Sequence, residues 1–253
     1  MQEENGALLR RMEDLARRCE KTAAVTHSGF LTPAEGHAAE QWARSHTDCP
    51  ILLLGGGREN ERRCAFFLPP WAEEAPFPVG EYICALESES RFGEPGHRDY
   101  LGAALALGIQ REWLGDIRIG TGGKAWLYCL PSVKQHLLLN LDHVGRWGVK
   151  LREISLEAVP EPERKLRETR FTVKSLRLDA VCAGMFGLSR GAAAEAIAQG
   201  LVSKNYAVCL KPDAPVQTGD TLSLRGRGKG YVLEAGGAET KKGRVFVRAG
   251  HPD

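Results

Sequence analysis

The 253-residue chain is 43% apolar and 26% charged, with 29 Gly, 13 Pro, and 34 Lys+Arg against 32 Asp+Glu. That balance belongs to globular proteins with packed cores and excludes disordered or collagen-like chains. No uncharged apolar run approaches the ~18 residues of a membrane helix, and the start MQEENGALLRRMEDLARRCEK is an acidic-basic helix rather than a signal peptide, so a cytoplasmic protein with no membrane partner is expected.

In residues 1–75 an opening helix carries the stripe Leu8, Met12 and Leu15. Thr32-Pro33 supplies an N-cap followed by Pro at the first helical position. ILLLG and RCAFFL around Gly55-Gly56-Gly57-Arg58 read as a β-hairpin, because a phosphate loop needs a helix after its glycines. PPWAEEAPFPVG, residues 69–80, places four prolines where neither helix interior nor sheet ladder tolerates them, and marks a boundary.

Residues 81–159 read as strand (81–87), helix (about 97–107), strand (115–119), strand (124–129), helix (131–139) and strand (from about 149). This βαββαβ order is that of a ferredoxin-like or RNA-recognition-like (RRM-like) sandwich with one free sheet face. Trp126 and Tyr128 alternate on one strand face and suit either base stacking or packing against a neighbouring domain. PEPERKLRETR, residues 160–170, reads as a linker: two prolines, seven charges and no apolar period.

The final domain, 171–253, holds 12 of the 34 basic and 7 of the 32 acidic side chains, giving +5 and leaving −3 for the rest. Such a bias fits a polyanionic partner or a solvated face. Leu178, Val181, Cys182 and Met185 share one helix face, Ser189 caps a second helix with Ala193, Ala196 and Ile197 inward, and Gly200 closes it. LVS-KN-YAV reads as strand, turn, strand, and TLSLRGRGKGYVLE as a strand running into a glycine-spaced basic loop. The expected fold class is α+β, in three small domains.

Catalytic motifs fail on context. Gly187-Leu188-Ser189-Arg190-Gly191 matches a nucleophile elbow but leaves a helix, with only His251 downstream. His97-Arg98-Asp99 lacks the kinase-loop Asn, Ala104 standing in its place, and Gly123-Lys124 lacks the P-loop's first glycine and its helix. Seven cysteines, at 19, 49, 64, 84, 129, 182 and 209, never reach Cys-x-x-Cys spacing and read as small buried apolar residues, and the seven histidines show no metal spacing. Arg177-Leu178-Asp179 matches the R-L-D whose Asp is the nucleophile of pseudouridine synthases, but the Thr and Gly that follow there are missing; a carboxylate in the first turn of a helix also has a plain electrostatic role. No enzyme activity, cofactor, metal or small-molecule substrate is expected.

LRLDAVCAGMFGLSRGAAAEAIAQGLVSKNYAV resembles the S4 (αL-motif) RNA-binding domain, while GHRDYLGAALALGIQREWLGDI and NLDHVGRWGV resemble the middle domain of the YlmH family of bacterial S4 proteins. The resemblance implies a non-catalytic RNA-binding protein of the large ribosomal subunit, with rRNA and possible tRNA contacts, in ribosome-associated quality control, where stalled chains acquire alanine tails. By position it implies Arg177 and Arg190, with Ser189, Lys204 and Asn205, as RNA contacts; Arg225, Arg227 and Lys229, interleaved with glycines, join them as residues able to approach a phosphate chain. Lys241, Lys242 and Arg244 around Gly243 form a second basic turn, and the Lys usual after the S-R pair is replaced by Gly191 and alanines. His97 and Arg98 belong to the middle-domain motif. The alternative, an RNA-modifying enzyme targeted by an S4 domain, lacks both R-L-D-x-x-T-x-G and a glycine-rich cofactor loop.

Overall fold

In a computed structural model that describes residues 2–46, 49–72, 76–161, 166–239 and 243–252, the opening periodicity folds as helix α1 (Gln2–Thr22). Leu8 and Met12 are buried against α2 (Pro33–Ser45) and a small antiparallel sheet of β1 (Thr26–His27), β2 (Ile51–Leu54) and β3 (Cys64–Phe67), in the order β1-β3-β2. Thr32 starts α2 with a reciprocal cap: its hydroxyl accepts from the Glu35 amide at 3.3 Å, and the Glu35 carboxylate accepts from the Thr32 amide at 2.7 Å. The glycine-rich segment joins β2 to β3 as a hairpin connection.

The next elements are β4 (Cys84–Ser90), α3 (His97–Ala106), β5 (Leu114–Ile119), β6 (Lys124–Cys129), α4 (Pro131–Asn140), β7 (His143–Val144) and β8 (Trp147–Ile154). Their sheet runs β5-β6-β4-β8-β7, the ferredoxin-like arrangement with one short strand added at the edge. Tyr100, Ala104, Val133 and Leu137 from the two helices pack on Leu86 and Leu127, which face them from the sheet.

The opposite sheet face is not free. Phe30, Phe66 and Ile83 close over Ala85 and Tyr128 in one shared core. Gly115 has no side chain because a Cβ would stand 2.7 Å from the Phe30 ring. Buried Arg62 ties the seam, donating to the carbonyls of Phe30 (2.7 Å), Leu114 (3.2 Å) and Arg111 (3.2 Å), while the Asp116 carboxylate accepts from the amides of Glu61 (2.6 Å) and Arg62 (3.2 Å). Residues 1–75 and 81–159 therefore belong to one compact unit, Met1–Pro162, and the second unit is Glu163–Asp253; the chain divides into two units instead of the expected three.

The second unit comprises β9 (Leu166–Val173), α5 (Leu178–Phe186), α6 (Arg190–Ala198), β10 (Val202–Lys204), β11 (Ala207–Val208), β12 (Thr221–Leu224), β13 (Gly228–Glu239) and β14 (Val245–Pro252). Its sheet order is β11-β10-β12-β13-β14-β9. The helix face Leu178, Val181, Cys182 and Met185 is buried with Ala193, Ile197, Val202, Leu222 and Val247. Part of the expected linker is strand instead: Leu166 to Arg170 lie in β9, which pairs residue for residue with β14. Its charges are those of an edge strand, exposed along one side of a ladder, so composition alone reads as coil. All seven cysteines are free thiols; five are buried, and burial pushes the Cys64 and Cys182 thiols up to about 12. Among the described residues no helix is long and apolar enough to cross a membrane.

Candidate nucleic-acid interface

Two short helices start side by side on the second unit, and a buried carboxylate joins their first residues. Arg177 occupies the N-cap of α5, and Ser189 that of α6, where its hydroxyl accepts from the Ala192 amide at 3.1 Å. Asp179, in the first turn of α5, accepts from Arg177 Nε and Nη2, both at 3.3 Å, and from Arg190 Nε at 3.1 Å. The Asp179 side chain is 7% exposed, while Arg177 and Arg190 remain 40% and 54% exposed. Burial opposes ionisation of Asp179, but hydrogen bonds from Arg177 and Arg190 outweigh it and hold the carboxyl below its ordinary value. The carboxylate stays charged, and the remaining donors of two guanidiniums open to solvent beside the N-terminus of α6, a geometry that suits phosphate oxygens.

The segment between β11 and β12 extends this edge. Pro212 and Ala214 carbonyls accept from the amides of Asp179 (2.9 Å) and Leu178 (2.8 Å), and the Pro215 carbonyl accepts from Lys204 Nζ at 2.6 Å. Lys204 also pairs with the buried Asp220 at 3.0 Å. Asn205 is engaged throughout: its amide nitrogen donates to Asp220 at 2.7 Å, its side-chain oxygen accepts from the Thr221 amide at 2.9 Å, and its backbone sits at φ +50°. The turn itself is Asn205-Tyr206, with Lys204 paired to Ala207, one residue later than the sequence implies. The structure thus gives Lys204 and Asn205 positions in a folding network around Asp220.

The glycine-spaced cations lie elsewhere. Arg225 and Arg227 occupy the exposed tip between β12 and β13, where Arg227 Nη1 donates to the Phe186 carbonyl at the end of α5, 3.1 Å away. Lys229 is opposite Ser223 on the ladder, while its neighbour Gly230 faces the core against Met185. Lys229 therefore points to the sheet face away from the helices, and its ammonium lies 5.2 Å from the Tyr206 ring centre and 6.0 Å from that of Tyr231. The eight expected residues form a helix-start cluster, a turn network beside it, and a third group at the β12–β13 tip, of which Lys229 lies on the outer sheet face. Sequence reasoning missed Asp179 as the organiser of Arg177 and Arg190, and missed Asp220; an acid two residues after an Arg at a helix start was the available signal for the first. Lys241 and Lys242 lie outside the described residues, and Arg244 donates to the Thr172 carbonyl at 2.7 Å.

In the first unit Tyr128 is fully buried in the shared core and Trp126 is packed against it, so packing accounts for this aromatic pair. Arg118 stacks over the Tyr128 ring at 5.4 Å and donates to the side-chain Oδ1 of Asn60 at 2.7 Å.

The profile of a family described as "Putative RNA-binding domain in YlmH" matches residues 80–158. The chain is 31% identical over 222 residues to "Ribosome-associated protein quality control protein P2" of Bacillus subtilis (strain 168), an alignment covering 86% of this chain and 84% of that protein. The solved structure of "Cell division protein ylmH from Streptococcus pneumoniae" shares the fold, with a TM-score of 0.51 at 19% identity over 62% of this chain and 95% of that one.

Proposed function

The chain belongs to the YlmH family, and from that premise we propose that it is a non-catalytic, cytoplasmic RNA-binding protein of the large ribosomal subunit. It acts in ribosome-associated quality control, engaging rRNA and tRNA on obstructed subunits during alanine tailing, with its second unit serving as the S4 domain. The observation that carries this reading is the pair of solvent-facing guanidiniums, Arg177 and Arg190, preset by one buried carboxylate at two helix starts. Of the enzymatic alternatives, the same geometry disfavours the pseudouridine-synthase type: the Asp179 carboxylate that would have to act as nucleophile is buried and occupied by both arginines.

Sedimentation of the protein with purified ribosomal subunits over a salt series tests the proposal. The wild type is expected with the large subunit. An Arg177→Ala/Arg190→Ala variant is expected to lose that co-migration and to lower the log-log salt slope by about two, roughly one per phosphate contact. Failure of the wild type to co-migrate at low salt overturns the ribosomal assignment.

A further inference from the structure

We infer that the loop after β4 carries a second RNA site, in which Phe92 stacks an unpaired base while Arg91, Lys150 and Arg146 hold its flanking phosphates. The inference rests on the RNA-binding reading above and gives the first unit its own contact.

Phe92 is 82% exposed, the most exposed of the large apolar side chains among the described residues. A mobile loop would explain such a ring cheaply, but this loop is pinned on three sides. The Ser90 amide donates to the Gly123 carbonyl at 2.9 Å, and the Ser90 hydroxyl donates to the Phe92 carbonyl at 3.3 Å. The Glu94 carboxylate accepts from the Gly122 amide at 3.3 Å. Gly93, at φ +96°, lies so close on the Trp147 indole that no Cβ fits between them. The fold therefore holds the ring out in water, at a cost in buried apolar area that it does not recover within the unit.

The surroundings are cationic rather than apolar. Phe92 borders a groove of about 480 Å³ lined by Arg91, Lys150, Glu89, Gly148 and Val149. The side chains of Arg91 and Lys150 are exposed and make no hydrogen bond or ion pair among the described residues. Beside them Arg146 stacks on Trp147 at 5.0 Å. The acid in the groove, Glu89, stands opposite Lys124 on one neighbouring strand and Lys150 on the other. A protein partner would be met by a contiguous apolar patch, whereas one ring among unpaired cations is the arrangement by which single strands are held: stacking on an aromatic face with backbone phosphates on Lys and Arg. The usual stacking surface of an RNA-recognition-like sheet is closed here by Phe30 and Phe66 over Tyr128, which leaves Phe92 as the most exposed aromatic among the described residues.

The test uses the full-length protein with a fluorescein-labelled, unstructured 12-nucleotide RNA carrying 4-thiouridine, and with a duplex of equal length. Phe92→Ala and Phe92→Leu are expected to weaken single-strand binding on the order of tenfold, with duplex binding unchanged, and Phe92→Trp to restore it. Irradiation is expected to label the tryptic peptide spanning residues 92–98 in the wild type. Wild-type affinity in Phe92→Ala, or in Phe92→Leu with no label on that peptide, overturns the stacking site, the latter pointing to an apolar protein contact, and leaves the RNA reading standing on the Arg177/Arg190 result. A wild type that binds neither RNA nor ribosomal subunits overturns both.

Discussion

The Asp179 carboxylate lies 3.1 Å from Arg190 Nε and 3.3 Å from Arg177 Nε, so one buried anion fixes the spacing of two guanidiniums that come from different helices. Charge and geometry make opposite demands at this residue. As a charge, Asp179 repels phosphate and its removal should strengthen RNA binding. As a positioning group, it removes the rotamer freedom of two long side chains before RNA arrives. Freeing them costs about 0.5–1.5 kcal/mol each on binding, so Asp179→Asn is expected to weaken RNA affinity on the order of tenfold despite the added positive charge. Fluorescence anisotropy with ribosomal RNA fragments reads the sign directly, and tighter binding would show that the carboxylate only subtracts charge.

The same residue sets a pH response. Its folded-state pKa lies below the ordinary value of 3.8, with burial opposed and outweighed by the two arginines. A depressed carboxylate contributes stability that is complete above the ordinary value and is lost as pH falls through the folded one. The stability gap between wild type and Asp179→Asn, about 1–2 kcal/mol at neutral pH for hydrogen bonds to a charged group, is expected to hold down to about pH 4.5 and to shrink below it. Urea titrations of both proteins at matched pH cancel the other acids and expose this one; a gap independent of pH down to 2.5 would contradict the assignment.

Periodic elements were legible in the sequence, and surfaces were not. Leu178, Val181, Cys182 and Met185 repeat at helical spacing and are buried as that spacing requires, and the Thr32-Pro33 start of α2 is visible because capping is local chemistry. β9 was hidden because its partner, β14, lies some seventy residues on and because an edge strand tolerates the Arg and Glu that also compose linkers. Closure of the sheet over Tyr128 was equally hidden: an alternating aromatic pair looks the same facing RNA or facing Phe30 and Phe66. In the candidate site, Arg177 and Arg190 were readable as a pair, whereas their dependence on Asp179 needed the fold to bring residues eleven apart within hydrogen-bond reach.

The seam in the first unit makes a claim about cooperativity. Arg62 donates to three carbonyls, two of them buried, from segments on both sides of the expected boundary. Arg62→Met keeps the apolar stem but leaves the Phe30 carbonyl unpaired, while the Leu114 carbonyl keeps Arg111 Nη1 at 2.7 Å and the Arg111 carbonyl keeps the Leu114 amide, at about 1–3 kcal/mol. Gly115→Ala forces a methyl against Phe30 and Tyr128, at about 1–3 kcal/mol for overpacking. In hydrogen exchange, peptides from β2–β3 and from β4–β6 are expected to lose protection together in each variant. Loss confined to β2–β3 would restore two independent domains.

Asn205 separates a folding role from an RNA contact. Its φ of +50° favours Asn or Gly, and its side chain joins Asp220 to the Thr221 amide. Asn205→Gly keeps the backbone and removes the bonds, at about 1–2 kcal/mol; Asn205→Ala adds a left-handed penalty of roughly 1 kcal/mol. An RNA contact by this uncharged side chain would instead lower RNA affinity at every salt concentration, because only Lys and Arg set the salt slope. The expected outcome is a graded loss of thermal stability, wild type above Gly above Ala, with RNA affinity unchanged in both at a temperature where they are folded. RNA affinity reduced in Asn205→Gly while the variant is folded would return Asn205 to the RNA-contacting set.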